Sequence, residues 1–131
     1  MEELRGGADV VLKKIMRQAA AERASDVHIE PGASFVRVRF RKDGLLSDRF
    51  CLSSSMAPNL SVRVKVLGRL DVGESRLPQD GSWAEEIDGV PYDFRISVLP
   101  SMYGETIVIR ILSGRVNFIE KNELGMRKEQ E

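Results

Sequence analysis

The chain has 131 residues, 42% hydrophobic and 31% charged, enough apolar content for one globular domain or a piece of a larger protein. Lysine plus arginine (20) equal aspartate plus glutamate (20), so bulk charge gives no strongly basic footprint of a nucleic-acid binder. Cys51 is alone, which excludes a disulfide framework and a cysteine-based metal site, and no apolar run reaches the ~20 residues of a membrane span. No signal-peptide pattern opens the chain, so a reducing, cytoplasmic setting is expected.

Residues 1–7, MEELRGG, read as a flexible, solvated end. The stretch ADVVLKKIMRQAAAERAS, residues 8–25, is helical by spacing. Val11, Ile15 and Ala19 recur every four residues with Leu12 and Met16 beside them, and Lys13, Lys14, Arg17 and Gln18 fill the other side. Asp9 is the expected N-cap. DVHIEP, residues 26–31, alternates as a short strand and is stopped by Pro31-Gly32.

The clearest hairpin is SFVRVRFRKDGLLSDRF, residues 34–50. Val36, Val38 and Phe40 point one way, whereas Phe35, Arg37, Arg39 and Arg41 point the other, the period of a strand. Asp43-Gly44 supplies the tight turn. Residues 53–72 read as a second helix with serines at its start and Pro58 in its first turn. Its apolar side is expected at Val62, Val66 and Leu70, with Leu60, Val64 and Leu67 near them, although the β-branched run leaves a strand reading open. RLPQDGSW, residues 76–83, reads as a turn-rich connector. SWAEEI, PYDFRISVL and ETIVIRIL are three further strands, joined by Asp88-Gly89 and by the loop LPSMYG. The order gives an α+β domain: a mainly antiparallel sheet of about six strands with helices packed on one face.

His28 is the only histidine, and no nucleophile or orienting acid stands at a spacing that would make it catalytic. One histidine and one cysteine do not make a metal site. The stripe Arg37, Arg39, Arg41 with Phe35 has two readings: a phosphate-contacting face, or a solvated face on which arginine stems cover apolar surface. Neutral net charge and few aromatics favour the second. Arg95 and Arg110 are strand arginines as well. If the LPSMYG loop sets Val98 opposite Glu105, Asp93 lies opposite Arg110 and Arg95 diagonal to it, giving a cross-strand ion pair. On pattern alone that pairing is favoured over a ligand role. No G-x-x-x-x-G-K-[ST] or G-x-G-x-x-G occurs, so the chain has no phosphate cradle of its own.

ASDVHIEP, VRFRKDGLL, VKVLGRLDVGESRLPQDG, DFRISVLPSMYGETIVIRIL and ELGM occur in that order, from about Ala8 to Met126. Together they resemble the domain that precedes the RecA-like motor in type II secretion and type IV pilus assembly ATPases. Ser82 stands where that family commonly has arginine, Ser75 where lysine is usual, and Cys51 is not typical. The resemblance implies a PAS-like second N-terminal domain over residues 8–119, with 120–131 the start of a linker to the motor. It implies a non-catalytic module closing over ATP and magnesium held mainly by the motor, in a hexameric ring at the cytoplasmic side of the inner membrane. Arg95 and Arg110 fall on positions whose guanidiniums reach the ATP phosphates, and the resemblance also puts Arg37, Arg39 and Arg41 at the border of that cleft or of a neighbouring subunit. Expected partners are the motor domain, neighbouring subunits and inner-membrane platform proteins, with no nucleic acid, no metal site and no direct membrane insertion. The alternative is a stand-alone PAS-like sensor or interaction module with no part in hydrolysis.

Overall fold

The computed structural model describes residues 1–113. The ELGM segment and the expected linker at 120–131 lie outside the described residues. The elements in order are β1 (Glu2–Glu3), α1 (Ala8–Ala21), β2 (Asp26–Pro31), β3 (Phe35–Lys42), β4 (Leu45–Ser53), α2 (Met56–Leu67), β5 (Gln79–Ile87), β6 (Val90–Ser101) and β7 (Gly104–Ser113). The strands form a single sheet in the order β1-β4-β3-β2-β7-β6-β5. Every neighbouring pair is antiparallel except β1 with β4. This is the expected PAS-like α+β arrangement with seven strands in place of six.

The extra strand comes from the segment read as a flexible end. Glu2 and Glu3 pair with Phe50 and Cys51, and Leu4 behind them is buried against the core. The sheet's inner face is set by period two. Val27 and Ile29, Val36, Val38 and Phe40, Phe94, Ile96 and Val98, and Ile107 and Ile109 are all buried on it. Both helices cover this face, α1 through Val11, Leu12, Ile15, Met16 and Ala19, and α2 through Met56, Leu60 and Val64.

Helix α1 stops four residues before Ser25 because Arg23 takes a left-handed φ of 58°. The Ala24 amide then returns to the Ala19 carbonyl, and the chain turns into β2. Asp9 is not the N-cap. Gly7 holds that position, and Asp9 lies in the first turn, where its charge complements the helix dipole. Helix α2 is shorter than expected and turned to a different side: Val62 and Val66 are exposed, while Ser61 and Lys65 are buried beside Leu60 and Val64. Two four-residue stripes run through this segment, and the buried one includes a lysine whose charge is matched inside.

The hairpin turns follow the chemistry of their residues. Asp43-Gly44 and Asp88-Gly89 both have positive φ at both positions, the two-residue geometry that suits twisted strands. Gln79, Asp80 and Gly81, expected in a connector, instead begin β5. Gly81 explains how. A Cβ there would meet the Gly68 carbonyl oxygen at 2.8 Å and a Leu70 methyl at 2.8 Å. Gly81→Ala is therefore expected to cost about 1–3 kcal/mol, read as a lower denaturant midpoint at unchanged slope. A wild-type midpoint would show that the strand start and the end of α2 do not need this close approach.

Candidate functional site

The sheet's other face carries Asp26, His28 and Glu30 of β2, Arg37, Arg39 and Arg41 of β3, Asp93 and Arg95 of β6, and Arg110 of β7. One row across it runs Leu46, Arg41, Asp26, Arg110, Arg95 and Ser82, each opposite the next on a neighbouring strand. The next row runs Asp48, Arg39, His28, Val108, Ser97 and Asp80. Arg37 faces Glu30 in a third. Five arginines thus share one surface.

The register between β6 and β7 differs from the expected one by two residues. A two-residue turn at Met102-Tyr103 sets Ser101 opposite Gly104, so Val98 faces Ile107 rather than Glu105. Asp93 accordingly faces Leu112, and the expected Asp93–Arg110 ion pair does not form. Arg95 lies directly opposite Arg110 instead, a like-charge neighbourhood that is unfavourable in a strand pair. Each is relieved by a carboxylate, Asp93 two residues earlier on the same strand for Arg95 and Asp26 on β2 for Arg110. Arg95 Nη2 lies 3.2 Å from Asp93, and Arg110 Nε lies 3.6 Å from Asp26.

Exposure divides the five arginines into two groups. Arg37 and Arg39 share the Glu30 carboxylate at 3.5 and 3.4 Å. Arg41 contacts Asp26 at 3.4 Å and donates from Nη1 to the Gly44 carbonyl at 3.0 Å, tying down the β3–β4 turn. The side chains of Arg95 and Arg110 are 62% and 70% exposed, against 24% for Arg39. Two permanently charged, planar forks therefore stand side by side with most of their donors in solvent, the arrangement suited to oxygens of a polyanion.

His28 sits between Asp26 and Glu30 on β2, with Arg39 opposite on β3. Its pKa lies below the ordinary 6.5, chiefly because burial disfavours the imidazolium; Glu30 and Asp26 oppose that shift, while Arg41 and Arg39 assist it. A histidine with a lowered folded-state pKa is protonated more readily in the unfolded chain. Stability should therefore fall as pH drops below about 6.5, and His28→Gln should flatten that decline. An unchanged pH dependence of the melting temperature in the variant would assign the effect to other groups.

The family described as type II/IV secretion system protein matches residues 5–131. The chain belongs to this family. Its relatives in the family include the protein transport protein HofB homolog of Escherichia coli K12, 41% identical over 117 residues, 89% of this chain and 25% of that protein. The type II secretion system protein HxcR of Pseudomonas aeruginosa is 38% identical over 122 residues, 92% of this chain and 26% of its own length. The type II secretion system ATPase E of Vibrio cholerae is 37% identical over 116 residues, 88% of this chain and 23% of its own length. The chain thus spans about a quarter of the length of these family members. The X-ray structure of the Legionella pneumophila ATPase DotB superposes with a TM-score of 0.56 at 17% identity, over 84% of this chain and 30% of DotB, a likeness of fold.

Two features of this family member were not legible as charge pattern. Asp26 and Glu30 are the counter-ions that organise the arginine face; their alternation with His28 in DVHIEP places them on one side, and only the pairing of β2 with β3 and β7 reveals the partners. Lys65 is 2% exposed, with its ammonium 2.9 Å from Glu105 at the start of β7 and donating to the Glu74 carbonyl. Gln79 binds the same connector, accepting from the Asp71 amide at 2.8 Å and donating to the Asp71 carbonyl at 2.9 Å. Among the described residues no cluster of three or more histidine, cysteine or acidic side chains is arranged to hold a metal. None of the described helices is long and apolar enough to cross a membrane.

Proposed function

We propose that this chain is the N-terminal, non-catalytic domain of a hexameric secretion or pilus-assembly ATPase. It closes over ATP and magnesium held by a RecA-like motor domain and donates Arg95 and Arg110 to the phosphates. Closure and release then couple hydrolysis to protein secretion or pilus assembly. The setting is the cytoplasmic side of the inner membrane, with neighbouring subunits and membrane platform proteins as partners.

The observation that carries this reading is the direct opposition of Arg95 and Arg110 on the neighbouring strands β6 and β7. Two facing guanidiniums repel, a repulsion that Asp93 and Asp26 offset from outside the pair. A triphosphate turns that repulsion into a two-armed clamp, and as charge develops on the transferring phosphoryl group the clamp tightens. The chain supplies cations and no phosphate cradle, so it acts as one wall of a site completed by another domain.

The sensor reading needs an interior pocket. The described surface has a hollow of about 130 Å³ between the helices and β5, below the ~300 Å³ at which ligand pockets begin. A larger one of about 510 Å³ lies on the outer side of α1 among Lys13, Lys14, Arg17 and Asp88, away from the core. The test is ATP turnover by the motor domain with this chain added as a separate protein, then with the two joined. Stimulation abolished by Arg95→Ala or Arg110→Ala supports the reading; a joined protein indifferent to both variants overturns it.

A further inference from the structure

Asp26 occupies an unusual position on the arginine face. It lies on the central strand, its side chain is 13% exposed, and it stands in register with arginines on both sides, Arg41 on β3 and Arg110 on β7. One carboxylate oxygen, Oδ1, lies 3.6 Å from Arg110 Nε; the other, Oδ2, lies 3.4 Å from Arg41 Nε. The Ser25 hydroxyl is 3.2 Å from Oδ2 and can donate to it. The Ser25 backbone is itself clamped, its amide donating to the Arg41 carbonyl at 2.9 Å and its carbonyl accepting from the Ile111 amide at 2.9 Å. The backbone next to the carboxylate is therefore anchored to both neighbouring strands, and the carboxylate is bracketed by one arginine from each.

The contact point on Arg110 matters. A guanidinium offers a bidentate anion two edges, one formed by its terminal amino groups and one that includes Nε. Asp26 is an ion-pair partner at Nε, 3.6 Å away, and 70% of the Arg110 side chain is exposed, so the terminal edge remains available to an incoming anion. A long side chain this open would otherwise sample many rotamers and lose that freedom each time it met a phosphate. We propose that Asp26 is a positioning residue for phosphoryl transfer: it holds Arg110 at Nε and presents the terminal edge of the fork to the phosphates of ATP. The inference rests on the donor role proposed for Arg110 and adds a residue to it.

Turnover kinetics of the full-length protein test it in four versions: wild type, Asp26→Asn, Arg110→Ala and the double variant. Asp26→Asn should slow kcat about tenfold while the KM for ATP changes little, because a misaimed arginine weakens the transition state more than the ground state. The double variant should be no slower than Arg110→Ala alone. Asp26→Glu, which keeps the charge but moves it by one methylene, should recover part of the rate. In this 131-residue chain, the side-chain Nε–H resonance of Arg110 should shift in Asp26→Asn, which reports the contact itself, while the loss of kcat at unchanged KM is what a merely structural aspartate would not produce. Wild-type kcat in Asp26→Asn, penalties that multiply in the double variant, or an unmoved resonance would each overturn the proposal. If Arg110→Ala itself turns over normally, the donor role fails and takes this inference with it; if only Asp26→Asn is normal, the donor role stands and the positioning role alone is lost. Should Asp26→Asn fold poorly, Asp26→Glu carries the same comparison.

Discussion

On the proposed donor role, Arg110→Ala and Arg95→Ala, each introduced into the full-length protein, should lower ATP turnover at least tenfold while the domain stays folded. Arginines supplied to a phosphoryl-transfer site from outside contribute about 10³–10⁵ in rate, or roughly 4–7 kcal/mol of barrier. The competing account, in which these residues are only surface partners of Asp93 and Asp26, assigns them about 0.2–1 kcal/mol of stability and no effect on turnover. The two accounts differ by orders of magnitude, so a modest assay separates them. Removing either arginine also ends the opposition with the other, which keeps the stability change small. Arg110→Lys should rescue little, since a compact ammonium cannot present a planar fork. Full turnover in both alanine variants would reduce the face to an ion-pair network.

The largest loss of stability should come from Lys65→Met. This lysine is enclosed between α2, the connector and β7, with Glu105 as its charge partner and the Glu74 carbonyl as a further acceptor. Removing the lysine leaves the Glu105 carboxylate buried without its cation, and one of its oxygens already has no hydrogen-bond partner among the described residues. Breaking a buried pair from one side costs about 3–5 kcal/mol, a large share of the ~5–15 kcal/mol that holds a domain together. Thermal unfolding should fall by more than about 10 °C. Lys65→Met combined with Glu105→Leu should recover most of the loss, because the isolated charge is gone. A single variant within about 1 kcal/mol of wild type would show that the connector relaxes and lets water reach Glu105.

The contrast between α2 and the strands explains which features could be read in advance. Along β3 the alternation of Val36, Val38 and Phe40 with Arg37, Arg39 and Arg41 admits only one inward face, and the structure buries it. Along α2 two stripes were apolar enough to face the core. The choice fell on the one containing Lys65, because Glu105, forty residues later, is there to receive the charge. No local pattern contains that information.

The same division holds at the candidate site. By itself the sequence determined the α+β class, the strands that carry the arginines, the Asp-Gly turns and the absence of a phosphate-binding loop motif, since each depends on residues close in the chain. Tertiary structure alone decided that Arg95 faces Arg110, that Asp26 stands between Arg110 and Arg41, and that Glu2 and Glu3 extend the sheet. Pairing register is the physical reason. It depends on the length of the Met102-Tyr103 turn and on strands β2 and β7 meeting across some eighty residues of intervening chain, and a two-residue slip keeps every side chain on its own face while changing every partner.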